Sequence, residues 1–539
     1  MNQLFYGDNL HVLRDRAHFP DASVDLIYLD PPFNSKRDYN LLFKSPKGRQ
    51  SEAQLEAFKD TWHWADQAEK EHLELLKQSN TEVALMMDAF LRFVGRNDMM
   101  AYLTMMASRL LELRRVLAPT GSLYLHCDPT ASHYLKLLLD AVFGKENFRS
   151  EVIWKRSGTH SSANRWGPVH DVIFFYTKSA KYTWNRVYGA PNAEHMARHY
   201  RHRDEQGRHY AHGELTAPGT RNGRSGAVWK GFDVTAIGRH WMTTVEKLDA
   251  LLEAGRIYMP GQNIWPRLIR YEDENEGGRA IGDVWTDIPP INMRAAERLG
   301  YPTQKPVALL LQIIQASSNR GDVVLDPFCG CGTAVHAAQM LKREWIGIDI
   351  THLAISLIEK RLKDAFGKRC EFTVEGTPGD LEAARDLSIR DRYQFQYWAV
   401  SLVNANPAQN KKKGADGGVD GIKFFRDLDQ KDAHKVVVSV KSGKLKPDDI
   451  RALMAVRAKE NAEIALLVTL DEPSPKMTAD AASAGFYKSA AGKNYPRVQI
   501  LTIAGLLAGT QCAAHPDYEP DLNQKKAKAE AHGEQPELL

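Results

Sequence analysis

Long apolar runs are missing from this sequence of 539 residues. None reaches the roughly 20 residues that a helix needs to cross a bilayer, so no membrane partner is expected. The start, Met1 to Leu10, lacks both a basic flank and an apolar core and does not read as a secretory signal. Cysteine is scarce: five residues (Cys127, Cys329, Cys331, Cys370, Cys512), scattered and odd in number. That argues against a disulfide framework and fits a reducing cytoplasm, the expected location. Cys329 and Cys331 are too close together and too isolated to make a tetrahedral zinc site. An excess of one charge is also missing, since 71 Lys and Arg face 67 Asp and Glu. The net charge of +4 therefore says little about a partner, and the placement of the basic residues says more. No internal repeat is visible.

What is present reads as globular α/β protein of about three to four domains. Residues 1–150 hold strand-like runs at Leu4 to Tyr6, Asp25 to Leu29 and Ser122 to Leu125. Helical spacing covers Met99 to Leu117, before a Pro119-Thr120-Gly121 turn signal, and His133 to Phe143. Ser45 to Glu82 reads as a loop and helix lying over the site. Residues 151–300 are less regular and interleave basic with aromatic residues. Lys155, Arg156, Arg165, Trp166, Arg198, Tyr200, Arg201, His202, Arg203, Arg208, Arg221, Arg224, Trp229, Lys230, Arg239 and Trp241 carry that pattern. Residues 301–375 alternate helix and strand again, which implies a parallel sheet with right-handed crossovers. A further unit follows over residues 380–512: a helix from Asp380 to Val403, a strand pair at Gly421 to Phe425 and Lys435 to Lys441, and a buried strand at Ile464 to Leu470. Residues 513–539 are polar and read as a disordered tail.

Two short segments carry the chemistry. Asp30-Pro31-Pro32-Phe33 follows the apolar run Leu26 to Leu29. An exocyclic base amine is a poor nucleophile because its lone pair is delocalised into the ring. A carboxylate and a backbone carbonyl one residue apart can hold its hydrogens and push the nitrogen toward a tetrahedral shape. Asp30 and the Pro31 carbonyl fit those roles, and the prolines stiffen the turn and remove N–H donors. Phe33 would stack on a base taken out of the helix. A strand-ending turn capped by Asp remains the alternative reading of four such residues.

The second segment is Asp326-Pro327-Phe328-Cys329-Gly330-Cys331-Gly332-Thr333, after the run Val323 to Leu325. Its glycines allow a cofactor to approach the backbone where the next helix begins. Asp349 ends the following strand and could accept from both hydroxyls of a ribose. A glycine turn without ligand is the alternative, and the spacing departs from the dinucleotide pattern Gly-x-Gly-x-x-Gly.

In this order the motifs resemble those of S-adenosylmethionine-dependent DNA amino-methyltransferases of the beta arrangement, in which the catalytic motif precedes the cofactor motif. Asp30-Pro31-Pro32-Phe33 matches the catalytic tetrapeptide, and Phe328 to Gly332 matches the cofactor loop. Thr303-Gln304-Lys305-Pro306 matches a segment that helps to close the methionine pocket. Tyr6-Gly7-Asp8-Asn9-Leu10 matches the opening strand and turn, with Asp8 at the cofactor edge. The resemblance covers residues 1–375. It implies a Rossmann-like sheet, S-adenosylmethionine as cofactor, double-stranded DNA as partner, and methyl transfer to adenine N6 or cytosine N4 without a metal. The implied cofactor residues are Asp8, Thr303, Lys305, Asp326, Phe328, Gly330, Gly332, Thr333 and Asp349; the implied catalytic residues are Asp30, Pro31, Pro32 and Phe33. Asp at position 30 resembles the adenine branch, and Phe33 replaces a more frequent Tyr. The basic insertion over 151–300 lies where the family keeps its target-recognition region. His170-Asp171 is read as structural.

Residues 380–512 resemble the Mrr-type branch of the restriction-endonuclease fold. Asp420 and the Ser439-x-Lys441 pair match its metal and lysine positions, except that Ser439 is a poor metal ligand where the branch often has Gln. An active nuclease using Mg2+, an inactive DNA-binding relic and an unrelated α/β module all stay open. So do a homodimer and a separate restriction subunit. The expected whole is α/β: a methyltransferase sheet with a recognition insertion, plus a smaller nuclease-like domain. A single-chain restriction-modification enzyme, and a DNA-binding protein that merely keeps the cofactor fold, are the competing functions.

Overall fold

The computed structural model describes the chain except residues 1, 33–37, 45–49, 60–63, 65, 78–80, 159–163, 165, 190–192, 262–263, 275–278, 293–294, 302, 409–417, 431, 517, 519–526, 528 and 531–539. Met1–Asn185 with Asp283–Pro536 forms one compact unit, and Arg186–Gly282 belongs to another.

A nine-stranded sheet organises the larger unit. Its strands are β1 (Asn2–Tyr6), β2 (Val24–Leu29), β3 (Leu117–Cys127), β4 (Phe148–Lys155), β5 (His170–Thr177), β6 (Val284–Trp285), β7 (Val323–Asp326), β8 (Glu344–Asp349) and β9 (Phe372–Glu375). They lie in the order β6-β4-β5-β3-β2-β7-β8-β1-β9. Neighbours pair in parallel except at β5, which runs opposite to both β3 and β4. β2 is buried along nearly its whole length. This explains its unbroken Leu26-Ile27-Tyr28-Leu29 run: a central parallel strand is covered on both faces. The Pro119-Thr120-Gly121 turn signal falls inside β3. There the pairing with β2 jumps from Val24↔Leu117 to Leu26↔Ser122, so the turn residues bulge out of register.

Two helices fix the opening turn. Asp8 caps α1 (Asn9–Arg14), accepting from the Leu10 amide at 2.8 Å. Helix α2 (Asp98–Val116) is buried along most of its length, and its Arg109 reaches across to that turn. Arg109 Nε donates to Asn9 Oδ1 at 2.5 Å, and Nη2 donates to Asp8 Oδ2 at 2.9 Å. Asn9 Nδ2 donates to the Pro327 carbonyl at 2.7 Å, tying this turn to the loop after β7. On the far side, α3 (Thr333–Met340) and α4 (His352–Phe366) follow β7 and β8.

β4 and β5 belong to the sheet, so the separate unit begins at Arg186 and not near residue 151. That unit contains a four-stranded antiparallel sheet of Ile257–Tyr258, Arg267–Tyr271, His209–Gly213 and His202–Arg203. Trp229 and Trp241 are buried in its small core with Leu248, so they hold the unit together and are not surface stacking platforms. Several basic residues of the pattern are already paired: Arg208 with Asp273 at 2.9 Å, Arg224 with Glu246 at 3.6 Å and Lys230 with Asp249 at 3.6 Å.

Beyond β9, the helical run expected from Asp380 to Val403 is two helices, α5 (Leu381–Arg390) and α6 (Arg392–Leu402). Asp391 breaks it: extended at φ −149°, its side chain caps α6 by accepting from the Tyr393 and Gln394 amides. A five-stranded sheet follows, in the order β10 (Asn406–Pro407), β11 (Gly421–Arg426), β12 (Ala433–Lys441), β13 (Ile464–Thr469) and β14 (Val498–Thr502). Within the segment read as a disordered tail, Ala527 is buried and the Glu530 amide donates to the Ala365 carbonyl at 3.0 Å. Among the described residues no helix is long and apolar enough to cross a membrane.

The Arg109 bridge yields a stability prediction. Arg109→Met strands Asp8 and Asn9 and is expected to cost about 2–3 kcal/mol, less than a fully buried pair because Asp8 stays partly solvated. Urea unfolding of the two chains reads this directly; a loss under about 0.5 kcal/mol would mean the bridge contributes nothing.

Candidate active site

The order β2-β7-β8-β1 sets four sequence motifs side by side at the carboxyl ends of four adjacent strands. Tyr6 lies opposite Asp349, Asp326 opposite Gly347, and Leu325 opposite Ile27. Open α/β sheets bind ligands at such an edge. A cavity of about 510 Å³ opens there, lined by Asp8, Asp30, Pro31, Pro32, Asp326 and Asp349 together with the loops that follow them. Its size falls in the range of small-molecule sites, roughly 300–1,000 Å³.

Asp30 ends β2. Lys305 Nζ donates to its Oδ2 at 2.5 Å, with both side chains largely withdrawn from solvent. The structure thus places Lys305 on the Asp30 carboxylate as well as on the cavity wall; Thr303 lines the wall beside it. Pro31 and Pro32 line the same space, whereas Phe33 lies outside the described residues. Behind Asp30 runs a buried chain of polar contacts. Tyr28 Oη meets His126 Nδ1 at 2.9 Å, His126 Nε2 meets Asp171 Oδ2 at 3.1 Å, and Arg156 Nε meets Asp171 Oδ1 at 3.1 Å. Burial works against ionisation of Asp171, yet His126, Lys305 and Arg156 hold its carboxyl below the usual range. Tyr28, enclosed and close to Asp30 and Asp326, is pushed well up. Asp171 therefore braces the wall behind the motif.

The loop after β7 turns tightly. Gly332 has φ +74°, and a Cβ there would come within 2.8 Å of Ile358, so only glycine lets α3 start this close to α4. Thr333 does not present its hydroxyl unengaged: Oγ1 accepts from Arg361 Nη1 at 3.1 Å. Asp326 accepts from the Phe328 amide at 3.1 Å, and burial, then Asp30 and Asp349, push its carboxyl far up. Asp349 binds the loop itself: Oδ2 accepts from the Gly330 amide at 2.8 Å, and Oδ1 from the Thr351 amide and hydroxyl, both at 2.9 Å. Each carboxylate oxygen has two lone pairs, so Oδ2 keeps one for a ligand hydroxyl.

Sequence reasoning missed several wall residues. Arg109 and Asn9 are two of them; the single charge within the stretch Tyr102 to Leu111 of the helix was the available signal. Tyr301, whose ring lies 3.3 Å from where a Gly330 Cβ would stand, is another. Tyr393, Gln394 and Tyr397 on α6 also line the cavity, and nothing in their local sequence announces it.

The C-terminal motif is assembled as well. Asp420 stands before β11, beside Ser439 on β12: its Oδ2 accepts from Ser439 Oγ at 3.3 Å and from the Val440 amide at 2.6 Å, and Oδ1 from Gln396 Nε2 at 2.6 Å. Lys441 pairs with Asp449 at 3.3 Å. Among the described residues, no group of three or more His, Cys, Asp or Glu side chains is gathered as for a metal ion.

This sheet sets the Asp30-Pro31-Pro32 turn and a cavity of small-molecule size on adjacent strand ends. A family model described as DNA methylase, the N6/N4 type, matches residues 24–360, more than half of the chain, which belongs to that family. A second model, described as restriction endonuclease, matches residues 390–489. Among relatives, the type II methyltransferase M.EcaI of Enterobacter cloacae is 34% identical over 55% of this chain and 65% of its own length. The type III restriction-modification enzyme StyLTI Mod subunit of Salmonella typhimurium is 26% identical over 64% of this chain and 50% of its own. The DNA adenine methyltransferase YhdJ of Escherichia coli is 47% identical over 15% of this chain and 27% of its own. The chain thus spans less than two thirds of the length of each relative.

Asp349 also gives the site a pH signature. Burial pushes its carboxyl up to about 6, against the hydrogen bonds from Thr351 and Gly330. An unfolded aspartate titrates near 3.9 (about two units lower), so the folded chain keeps a proton that the unfolded chain releases. The stability this group contributes is full below about pH 4 and is lost as pH rises through about 6. Asp349→Asn is expected to flatten that part of the urea-stability profile; a profile parallel to the parent's between pH 4 and 7 would sink the assignment.

Proposed function

We propose that the chain methylates the N6 amine of an adenine flipped out of double-stranded DNA, using S-adenosylmethionine. The observation that carries this is the single cavity shared by Asp30-Pro31-Pro32 and the Asp326–Gly332 and Asp349 loops. The residues present suit the cofactor. The glycine turn allows close approach of a ligand to the backbone, Asp349 and Asp8 offer acceptors for hydroxyl or amino groups, and Tyr301 and Phe328 supply apolar wall. Thr303 would stand near the methionine portion. Bound there, S-adenosylmethionine supplies an electrophilic methyl group on a sulfonium sulfur.

The chain's own residues do the rest by placement. With one Asp30 oxygen held by Lys305, the other accepts from the adenine amine, and the Pro31 carbonyl accepts its second hydrogen. The amine lone pair is then directed at the incoming methyl group. The new N–C bond would form as the methyl–sulfur bond breaks, the sulfur leaving as a neutral thioether with that electron pair; the amine then sheds one proton, and Asp30 takes it. Phe33 is assigned the stacking role on the flipped base. The basic unit Arg186–Gly282 is assigned the recognition role, through cations that its own acids leave unpaired. Adenine is preferred over cytosine because Asp opens the tetrapeptide and because YhdJ is named as an adenine methyltransferase.

A second reading adds restriction to modification. It is favoured by the endonuclease match and by Asp420 and Lys441 on adjoining strand ends, with Mg2+ as the implied ion.

Nucleoside mass spectrometry of DNA from cells expressing the chain is expected to show N6-methyladenine, reduced at least about 100-fold in Asp30→Ala, the scale for losing a positioned catalytic group. N4-methylcytosine would overturn the choice of base, and neither product would overturn the reaction. On the second reading, Mg2+-dependent nicking of unmethylated plasmid is expected and should vanish in Asp420→Ala; nicking that survives the substitution would remove Asp420 from that role.

A further inference from the structure

Helix α6 belongs by sequence to the endonuclease-type match, yet it forms part of the cofactor cavity. Tyr393, Gln394 and Tyr397, which share one side of the helix, line that cavity. Tyr397 also packs on the cluster of Tyr301, Cys331, Leu353 and Leu357 around the glycine loop. A second side, Phe395, Trp398 and Ala399, is buried in the C-terminal core with Val436 and Val438 of β12. Gln396 bonds Asp420. One helix thus touches the cavity, the C-terminal core and the acid of the nuclease-like motif.

Two observations give this arrangement a ligand-directed meaning. Gln394 lines the cavity, and its Oε1 is buried with no hydrogen-bond partner among the described residues. Buried polar atoms are normally satisfied, so an unsatisfied acceptor on a residue of the cavity wall needs only a small side-chain rotation to meet a donor on the occupant. The junction is also tight. Gly376, where the chain leaves β9, has φ +80°, and an added Cβ would overlap the Tyr6 carbonyl oxygen. The backbone leading from β9 to the C-terminal domain thus runs directly against the end of β1.

We propose that the C-terminal domain supplies the outer wall of the cofactor site through α6. Gln394 accepts a hydrogen bond from the amino or hydroxyl donors of the bound nucleoside-amino acid. α6 makes cofactor occupancy and the geometry around Asp420 thermodynamically linked. This rests on the cavity being the S-adenosylmethionine site. Linkage is reciprocal: a ligand taken up at Asp420 changes cofactor affinity by the factor by which the cofactor changes that ligand's, and a substitution at Gln396 probes the contact that carries it.

The test uses the full-length chain and S-adenosylhomocysteine, read by titration calorimetry and by hydrogen exchange. Gln394→Ala is expected to bind about tenfold more weakly, the scale of one lost hydrogen bond, with unchanged melting. Gln396→Ala, which touches no cavity atom, is expected to shift affinity about two- to fivefold. In the parent chain the probe is expected to slow exchange in residues 392–402 and at the Val440 amide. Parent affinity in both variants, or exchange unchanged in α6, would overturn the proposal while leaving the cavity's assignment intact. Failure of the parent itself to bind the probe would overturn both.

Discussion

The pairing of Leu26 and Ile27 with Val324 and Leu325 is the contact on which the molecule depends. These segments lie some three hundred residues apart, and the whole insertion comes between them. Their parallel alignment sets the end of β2 beside the end of β7, and therefore Asp30 beside Asp326. Everything chemical follows from that register. A slip of one residue would turn each side chain to the opposite face, sending the acids into the helical layers. The buried character of both strands is what forbids the slip.

Crowding acids at one edge has an electrostatic cost that the fold meets in three different ways. Asp30 has the Lys305 ammonium. Asp349 has the amides and hydroxyl of its own loop. Asp326 has only one amide and is driven toward its neutral form. The result is a graded set, not three equivalent anions. On the proposed function, with a cationic ligand beside an electron-rich base, the site gains from such grading, because charge is kept only where a partner or ligand uses it.

Much of this was legible in the sequence because the decisive signals are local. Apolar runs followed at once by Asp-Pro-Pro or Asp-Pro-Phe-Cys-Gly mark strand ends, and helical spacing between them marks crossovers. The pairing of Gly421–Arg426 with Ala433–Lys441 was equally local. What escaped depends on contacts between distant segments. Arg109 is a helix residue until Asp8 and Asn9 meet it. Trp229 and Trp241 read as part of a basic, aromatic insertion until their own unit closes around them. Asp391 breaks a run of good helix formers because its carboxylate competes for the backbone amides. The fragment around Ala527 and Glu530 is polar in composition but finds partners at Ala365 and at His336, whose imidazole burial pushes down to about 4. No composition rule sees such docking, and none would have put Tyr393 or Gln394 at the cavity beside Asp30.

The overlap that Gly376 avoids has a consequence for how the two proposed activities would share one duplex. A domain on a loose tether samples many distances and meets its target by local concentration. Here the chain leaves β9 against the Tyr6 carbonyl with no room for a side chain, and α6 packs both on the cavity wall and in the C-terminal core. On the proposed reading the Asp30 and Asp420 edges would meet one duplex as two fixed points, as in a pair of callipers, and DNA engaging both would have to bend or slide to fit that gauge.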